Sequence, residues 1–281
     1  MKNRGIIPIN KPKDWTSFDV VNKLKYKFKP LKVGHLGTLD PMATGVLLVT
    51  VGKATKLFDL MQEKAKTYLA TFEFGYLTDT LDSTGEIVQK CEQIPSKNEI
   101  IDILPNFIGR ISQIPPKYSA KSINGIRAYD LARNGIEFEL KSKVVEIFKI
   151  NLISYESNQL KLEIECGSGT YIRSIGRDIA YALNSLATMT QLVRTKVGNF
   201  ELNDCLDIQL IDVVQNSIMP INKVLNYQKL NLSEQDKNKL LNGQVLNINQ
   251  TDGMYTVEDE LDTVAIVQIK EKKAKMSVLL G

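Results

Sequence analysis

Residues 34–45 read GHLGTLDPMATG, with three glycines (34, 37 and 45) and one aspartate, Asp40, held between an apolar residue and a proline. Glycine permits positive φ and the close approach of another backbone. Pro41 pushes Asp40 toward an extended conformation and fixes the exit of the chain. The apolar run Val46–Val51 that follows reads as a buried strand. An acid anchored just before such a strand is well placed for chemistry. An isolated Leu-Asp-Pro, however, more often marks a turn aspartate that caps its own backbone, so this stretch alone leaves both readings open.

Working outward, Gly5–Ile9 is a short apolar run broken by a loop from Asn10 to Asp14. Ser17 is a fair N-cap for a helix over 18–28, with Val20, Val21 and Leu24 as its apolar stripe and Pro30 as its stop. Residues 34–41 read as a glycine-rich loop, 53–63 as a helix, 66–75 as an alternating strand and 78–85 as a polar turn region. A short helix is expected over 97–105. An irregular insertion spans 112–135, helical over 126–134. Strand-like runs at 143–153 and 159–166 precede a small-residue turn, Gly167–Thr170, that opens a helix over 171–184. A strand at 189–197 and a short helix at 207–216 complete this part. From about 227 the pattern changes to one short helix, from Ser233 to Gly243, and three alternating segments at 244–248, 253–257 and 263–270. The mixture lacks a regular βαβ rhythm, which predicts an α+β fold with a small β-barrel-like module at the end.

The 281 residues are 43% hydrophobic and 24% charged, an ordinary globular composition. No apolar run approaches the roughly 18 residues that span a bilayer, and the N-terminus lacks the pattern of a signal peptide, so a cytoplasmic protein without membrane association is expected. Three scattered cysteines and a single histidine, His35, argue against a zinc site and against histidine-dependent hydrolases. No metal is expected. The net charge of +4 is uneven: residues 1–60 hold eleven Lys/Arg against four acids, whereas 222–281 hold eight of each. Lys23, Lys25, Lys27, Lys29 and Lys32 cluster within ten residues, which suits either a polyanionic partner or a solvated helix end.

Two further stretches could carry chemistry. The turn Gly167–Thr170 leads into a helix that presents Tyr171 and Arg173 near its first turn, and an arginine can clamp a carboxylate in bidentate fashion. Lys66-Thr67-Tyr68 places a tyrosine on a strand, where a core role is the commoner one.

Together these stretches belong to a larger pattern. INKPKDWTSFDVV (9–21), KVGHLGTLDPMATGVLLV (32–49), KTYLATFEFGYLTDTLDSTGE (66–86), QIPPKYSA (113–120), RAYDLARNG (127–135), CGSGTYIRSIGRDI (166–179) and LVRTKVGNF (192–200) follow one another in order. In these seven blocks the chain resembles the TruB-type family of tRNA pseudouridine synthases, over about residues 6–200. The resemblance implies a pseudouridine-synthase fold, α+β, with a mixed, mainly antiparallel central sheet flanked by helices and loops. It implies a catalytic domain over 1–226, a thumb-like RNA-binding insertion over 112–135, and a short PUA-like RNA-binding domain over 227–281. Asp40 corresponds to the catalytic aspartate, Tyr68 to the tyrosine stacked on the target base, Arg173 to the arginine paired with the aspartate, and Tyr171 to the tyrosine beside them. Leu192 matches an apolar wall residue, and Lys11 a lysine that shapes the site. His35 matches a histidine that fills the place of the flipped nucleotide. Lys23, Lys25, Lys27, Lys29, Lys32, Arg127, Arg133 and Arg194 are assigned to RNA.

The implied reaction isomerises uridine in the T loop of tRNA at position 55. It involves no redox change and no added atoms, so no cofactor is expected, and the implied enzyme is a monomer without an obligate protein partner. The buried base has to be flipped out and read by stacking and edge contacts. Two departures touch RNA contacts: Ser119-Ala120-Lys121-Ser122 stands where the family usually reads SALK, and CGSGTYIR replaces the commoner CSKGTYIR. A non-catalytic tRNA-binding or tRNA-folding protein, and a related synthase acting on a different uridine, are the alternatives.

Overall fold

The computed structural model describes residues 4–119, 121–123, 125–210, 217–260 and 262–281. The chain divides into two compact units: residues 1–41, 46–62 and 199–281 form the first, and residues 42–45 and 63–198 form the second.

In the first unit, strand Gly5–Lys11 runs parallel to Leu206–Asp207 and neighbours strand Thr44–Val51. The opening strand extends through Lys11, two residues beyond the expected run, because Lys11 is itself buried. Helix Ser17–Lys27 starts one residue earlier than expected. Its N-cap is Thr16, whose side chain accepts from the Asp19 backbone N–H while the Asp19 carboxylate accepts from Thr16 N–H, a reciprocal capping box. The expected loop at 34–41 begins as a strand, Val33–Leu36, paired antiparallel with residues 48–51, so His35 lies opposite Val49. Gly37 has φ +85°, but Gly34 is ordinary extended backbone within the strand. The expected helix at 53–63 is a 3₁₀ turn, Gly52–Leu57, followed by a short α-helix, Phe58–Gln62.

The end of the chain, also in the first unit, holds a five-stranded sheet in the order Gln228–Lys229, Gly253–Glu258, Thr263–Lys270, Lys273–Leu279, Leu246–Asn247. Leu230, Leu240, Tyr255, Val257, Val267 and Ile269 form its core. Two strands exceed the sequence expectation. Lys273–Leu279 alternates charged or polar with apolar residues, and Gln228–Lys229 is too short to show a period. Arg4 ties this sheet to the chain start: its guanidinium donates to the Leu280 carbonyl at 3.1 Å and pairs with Asp259 at 3.4 Å.

The second unit is built on an antiparallel sheet in the order Gly109–Gln113, Lys143–Glu156, Gln159–Cys166, Lys66–Phe74, Ala187–Val197. Strand Lys66–Phe74 buries Lys66, Tyr68, Ala70, Phe72 and Phe74 on one face, as a two-residue period requires. Helix Ile172–Ala182 covers that face. A Cβ on Gly176 would stand 2.2 Å from the Phe72 ring, so only glycine lets the helix come this close. Thr44 and Gly45 add a parallel pairing to Val193 and Arg194, which makes the sheet mixed. Gly45, at φ +106°, is a second required glycine: a Cβ there would lie 2.2 Å from the Arg194 carbonyl oxygen. The insertion contains a small hairpin, Ser122–Ile123 with Ile126–Arg127, and a helix, Ala128–Arg133, shorter than expected. Ala120 of the Ser-Ala-Lys-Ser departure lies outside the described residues, as do residues 211–216 of the expected helix at 207–216. Asp207, the first residue of this stretch, closes the strand Leu206–Asp207.

Candidate active site

In the first unit Asp40 sits between two fixed points. On one side the buried Ser17 hydroxyl accepts from Leu39 N–H at 2.9 Å and donates to the Leu39 carbonyl at 3.3 Å. On the other, the Pro41 carbonyl accepts from Lys11 Nζ at 3.1 Å and from Asp14 N–H at 2.9 Å. Lys11 also donates to the carbonyls of Pro12 (2.9 Å) and Trp15 (2.6 Å). A fully buried ammonium collecting three carbonyls works as a structural hub, the condition under which a buried cation is tolerated. It ties the end of its strand to the loop at Pro12–Trp15 and to Pro41, the residue after Asp40.

In the second unit Tyr68 is buried on its strand, opposite Arg194 on one neighbour and Ile164 on the other. Leu192 pairs with Ala70 on the same inward face. Arg194 therefore differs from its implied assignment. It is 1% exposed, and the strand period that turns Leu192 inward turns Arg194 inward with it, leaving it no surface for an RNA phosphate. Near it, burial first and the Arg194 charge second lower the pKa of Lys66, whose Nζ donates to the Lys64 carbonyl at 2.9 Å. Burial pushes the neighbouring Cys166 thiol up to about 11.

Arg173 is buried in the first turn of helix Ile172–Ala182. It forms an ion pair with Asp82 at 3.2 Å and donates to the carbonyls of Thr80 (2.9 Å) and Tyr118 (3.1 Å). The other Asp82 oxygen accepts from Thr80 Oγ1 (2.9 Å), Thr84 N–H (3.0 Å) and Thr84 Oγ1 (2.5 Å). A carboxylate so fully bonded holds the guanidinium in one orientation. Asp82 was invisible in the sequence because TDTLDSTG reads as turn chemistry throughout. The structural signal is Leu81, a bulky residue at φ +64°, which is strain that the surrounding contacts have to hold.

The same helix fastens the insertion. Gln113 exchanges two hydrogen bonds with the Tyr171 backbone, at 2.9 and 3.2 Å, and Ser174 and Arg177 both donate to the Ile114 carbonyl at 2.9 Å. Tyr171 is thus held through its main chain, and its side chain is half-buried. Gln113 is a second residue whose role the sequence concealed, since its partner lies 58 positions away. Within the insertion, a hydrogen bond to Asp79 raises the Tyr118 phenol pKa. Arg127 and Arg133 are exposed, as are Lys25, Lys27, Lys29 and Lys32. Lys23 is half-buried, with Nζ 5.3 Å from the centre of the Trp15 ring.

Fold, sheet order and these side chains define an α+β protein with a pre-ordered acid in one unit and an oriented arginine in the other. Residues 23–172 match the family model described as TruB family pseudouridylate synthase (N terminal domain), and the chain belongs to that family. Among its relatives is tRNA pseudouridine synthase B of Clostridium kluyveri, 44% identical over 79% of this chain and 77% of that protein. The Ureaplasma urealyticum protein of the same name is 44% identical over 77% of this chain and 96% of its own length, and the Fusobacterium nucleatum one 48% identical over 70% and 69%. Among solved structures, a chain of a Cbf5-Nop10-Gar1 complex superposes with a TM-score of 0.74 at 22% identity, covering 99% of this chain and 84% of that one. At that identity the likeness speaks for the fold alone. No helix among the described residues is long and apolar enough to cross a membrane.

Proposed function

We propose that this chain isomerises uridine to pseudouridine in tRNA, as the names of its relatives state for them, and that its target is uridine 55 in the T loop. The reaction breaks N1–C1′, turns the uracil and joins C5 to C1′. The C5 hydrogen leaves as a proton and N1 takes one up, so atoms and electrons balance without a redox partner. Asp40 is the carboxylate that acts on the target nucleotide. Arg173 is the cation that keeps it ionised, Tyr68 stacks on the flipped base with Tyr171 beside it, and Leu192 supplies the apolar wall. The observation that carries this reading is the fastening of both residues that flank Asp40, by Ser17 on one side and by Lys11 and Asp14 on the other. A turn aspartate that merely caps its backbone requires no such frame.

Lys23, Lys25, Lys27, Lys29 and Lys32 hold phosphates, with Arg127 and Arg133 on the insertion at 112–135. His35 fills the gap left by the flipped base. Residues 1–226 carry the chemistry, and residues 227–281, with their own core, act as the PUA-like RNA-binding part. The protein works as a cytoplasmic monomer. The test is position-resolved detection of pseudouridine in a tRNA transcript treated with the purified protein. Modification of the T-loop uridine alone is expected; modification elsewhere would reassign the target, and none at all, with tRNA still bound, would favour a tRNA-folding protein.

A further inference from the structure

Helix Ser17–Lys27 carries the two most exposed large apolar side chains among the described residues, Tyr26 at 76% and Phe18 at 63%. Its buried stripe is Ser17, Val20, Val21 and Leu24, and the helix packs on strand Val33–Leu36, so both rings stand off the packed side. At a rise of about 1.5 Å per residue they lie roughly 12 Å apart along the axis and within about 80° around it. Lys25 is exposed about 20° round the helix from Phe18, more than one turn along the axis. Lys29 Nζ stands 5.0 Å from the centre of the Tyr26 ring. From residue 17 to 32 there are five lysines and one acid, Asp19, whose carboxylate is occupied by the N–H and hydroxyl of Thr16.

Exposed rings among lysines, in a stretch whose one acid is engaged by Thr16, suit a polyanion that offers flat apolar faces. The centre of a protein–protein interface is depleted in lysine, which argues against a protein occupant. A duplex hides its base faces, whereas unpaired nucleotides present them to aromatic rings and their phosphates to lysines. We propose that the outer face of this helix, with Phe18 and Tyr26 as stacking rings and Lys25 and Lys29 as phosphate contacts, binds unpaired nucleotides of the substrate tRNA outside the T arm. The inference rests on the RNA-modifying reading above. Ser17, at the start of the helix, is hydrogen-bonded to Leu39 next to Asp40, so nucleotides held here keep a fixed offset from the catalytic loop. The proposed function assigns the target base to Tyr68, so a base stacked on these two rings is a different one.

The test is fluorescence anisotropy with a full-length tRNA transcript and with an isolated T-arm stem–loop, using wild type, Phe18→Leu, Tyr26→Leu and Tyr26→Trp. Leucine keeps apolar contact and removes stacking. Each leucine variant should weaken binding of the full tRNA about fivefold or more, leave T-arm binding and turnover within about twofold, and Tyr26→Trp should bind like wild type. Wild-type affinity for full tRNA in both leucine variants would overturn the proposal, and so would equal losses on both RNAs. Concentration-dependent self-association that the leucine variants lose would also overturn it, by assigning the face to a second copy. A wild type that binds tRNA yet leaves its uridines unchanged would sink the enzymatic reading and leave this surface standing.

Discussion

Asp82→Asn is the substitution that most sharply probes how Arg173 is positioned. One oxygen of Asp82 accepts three hydrogen bonds from Thr80 and Thr84, and the other faces the Arg173 guanidinium at 3.2 Å. Asparagine can keep its oxygen toward the threonines only by turning its NH₂ toward the guanidinium, donor against donor. Turned the other way, it leaves the threonine donors without an acceptor. Removing one partner of a buried ion pair costs about 3–5 kcal/mol. Arg173 retains the Thr80 and Tyr118 carbonyls, so the lower end applies, about 3 kcal/mol. A loss of that size lowers Tm by roughly 5 °C in a chain of 281 residues. Circular dichroism during heating measures it, and single-turnover tritium release from C5-labelled uridine follows the chemistry. Turnover should fall at least about 100-fold, while tRNA affinity stays within about tenfold, or roughly 1.4 kcal/mol. The comparison is Asp79→Asn. Asp79 is half-buried, accepts from Glu86 N–H and is hydrogen-bonded to the Tyr118 phenol. Asparagine keeps an acceptor oxygen and breaks no ion pair among the described residues, so it should cost only about 1 kcal/mol. An Asp82→Asn protein with wild-type Tm and wild-type turnover would refute the positioning role of the ion pair.

Lys11→Met removes the donor shared by three carbonyls and should cost about 2–4 kcal/mol, lowering kcat more than it raises KM; unchanged kcat would show that Asp40 does not depend on this frame. Gly45→Ala pushes a Cβ against the Arg194 carbonyl at a positive φ and should cost about 3 kcal/mol or more in chemical denaturation; a neutral result would mean that the close pairing of Thr44 and Gly45 with Val193 and Arg194 is not kept in solution. His35→Ala should slow single turnover and His35→Phe recover most of the loss. Stacking is worth roughly 1–3 kcal/mol, close to the cost of flipping a base. If phenylalanine fails and the wild type shows a rate step near pH 6.5, His35 acts as an acid or base instead.

Periodicity made most of the sheet legible. Strand Lys66–Phe74 and helix Ile172–Ala182 follow the alternation and the apolar stripe that their sequences display. Asp40 stood out because glycines and a proline leave a mark along the chain itself. Asp82 did not, because its meaning lies in an arginine 91 positions away, and no local pattern encodes a long-range ion pair. Arg194 misled for the opposite reason: a basic residue invites a phosphate assignment, whereas the two-residue period of its strand sends it inward. His35 looked like a loop residue because two glycines flank it, yet the register with Val49 makes it part of a strand edge. The closing strand Lys273–Leu279 escaped notice because its lysines dilute an apolar alternation that is plain once it is paired with Thr263–Lys270.

The central claim is that Asp40 carries the chemistry, and tritium release from a T-arm stem–loop labelled at C5 of its uridines tests it most directly. Wild type should release tritium to completion. Asp40→Asn keeps the size and most hydrogen bonds of the side chain but is neither a nucleophile nor a base. It should release none at long incubation while binding the same RNA within about tenfold, or roughly 1.4 kcal/mol, of wild type. Measurable release by Asp40→Asn would contradict the account.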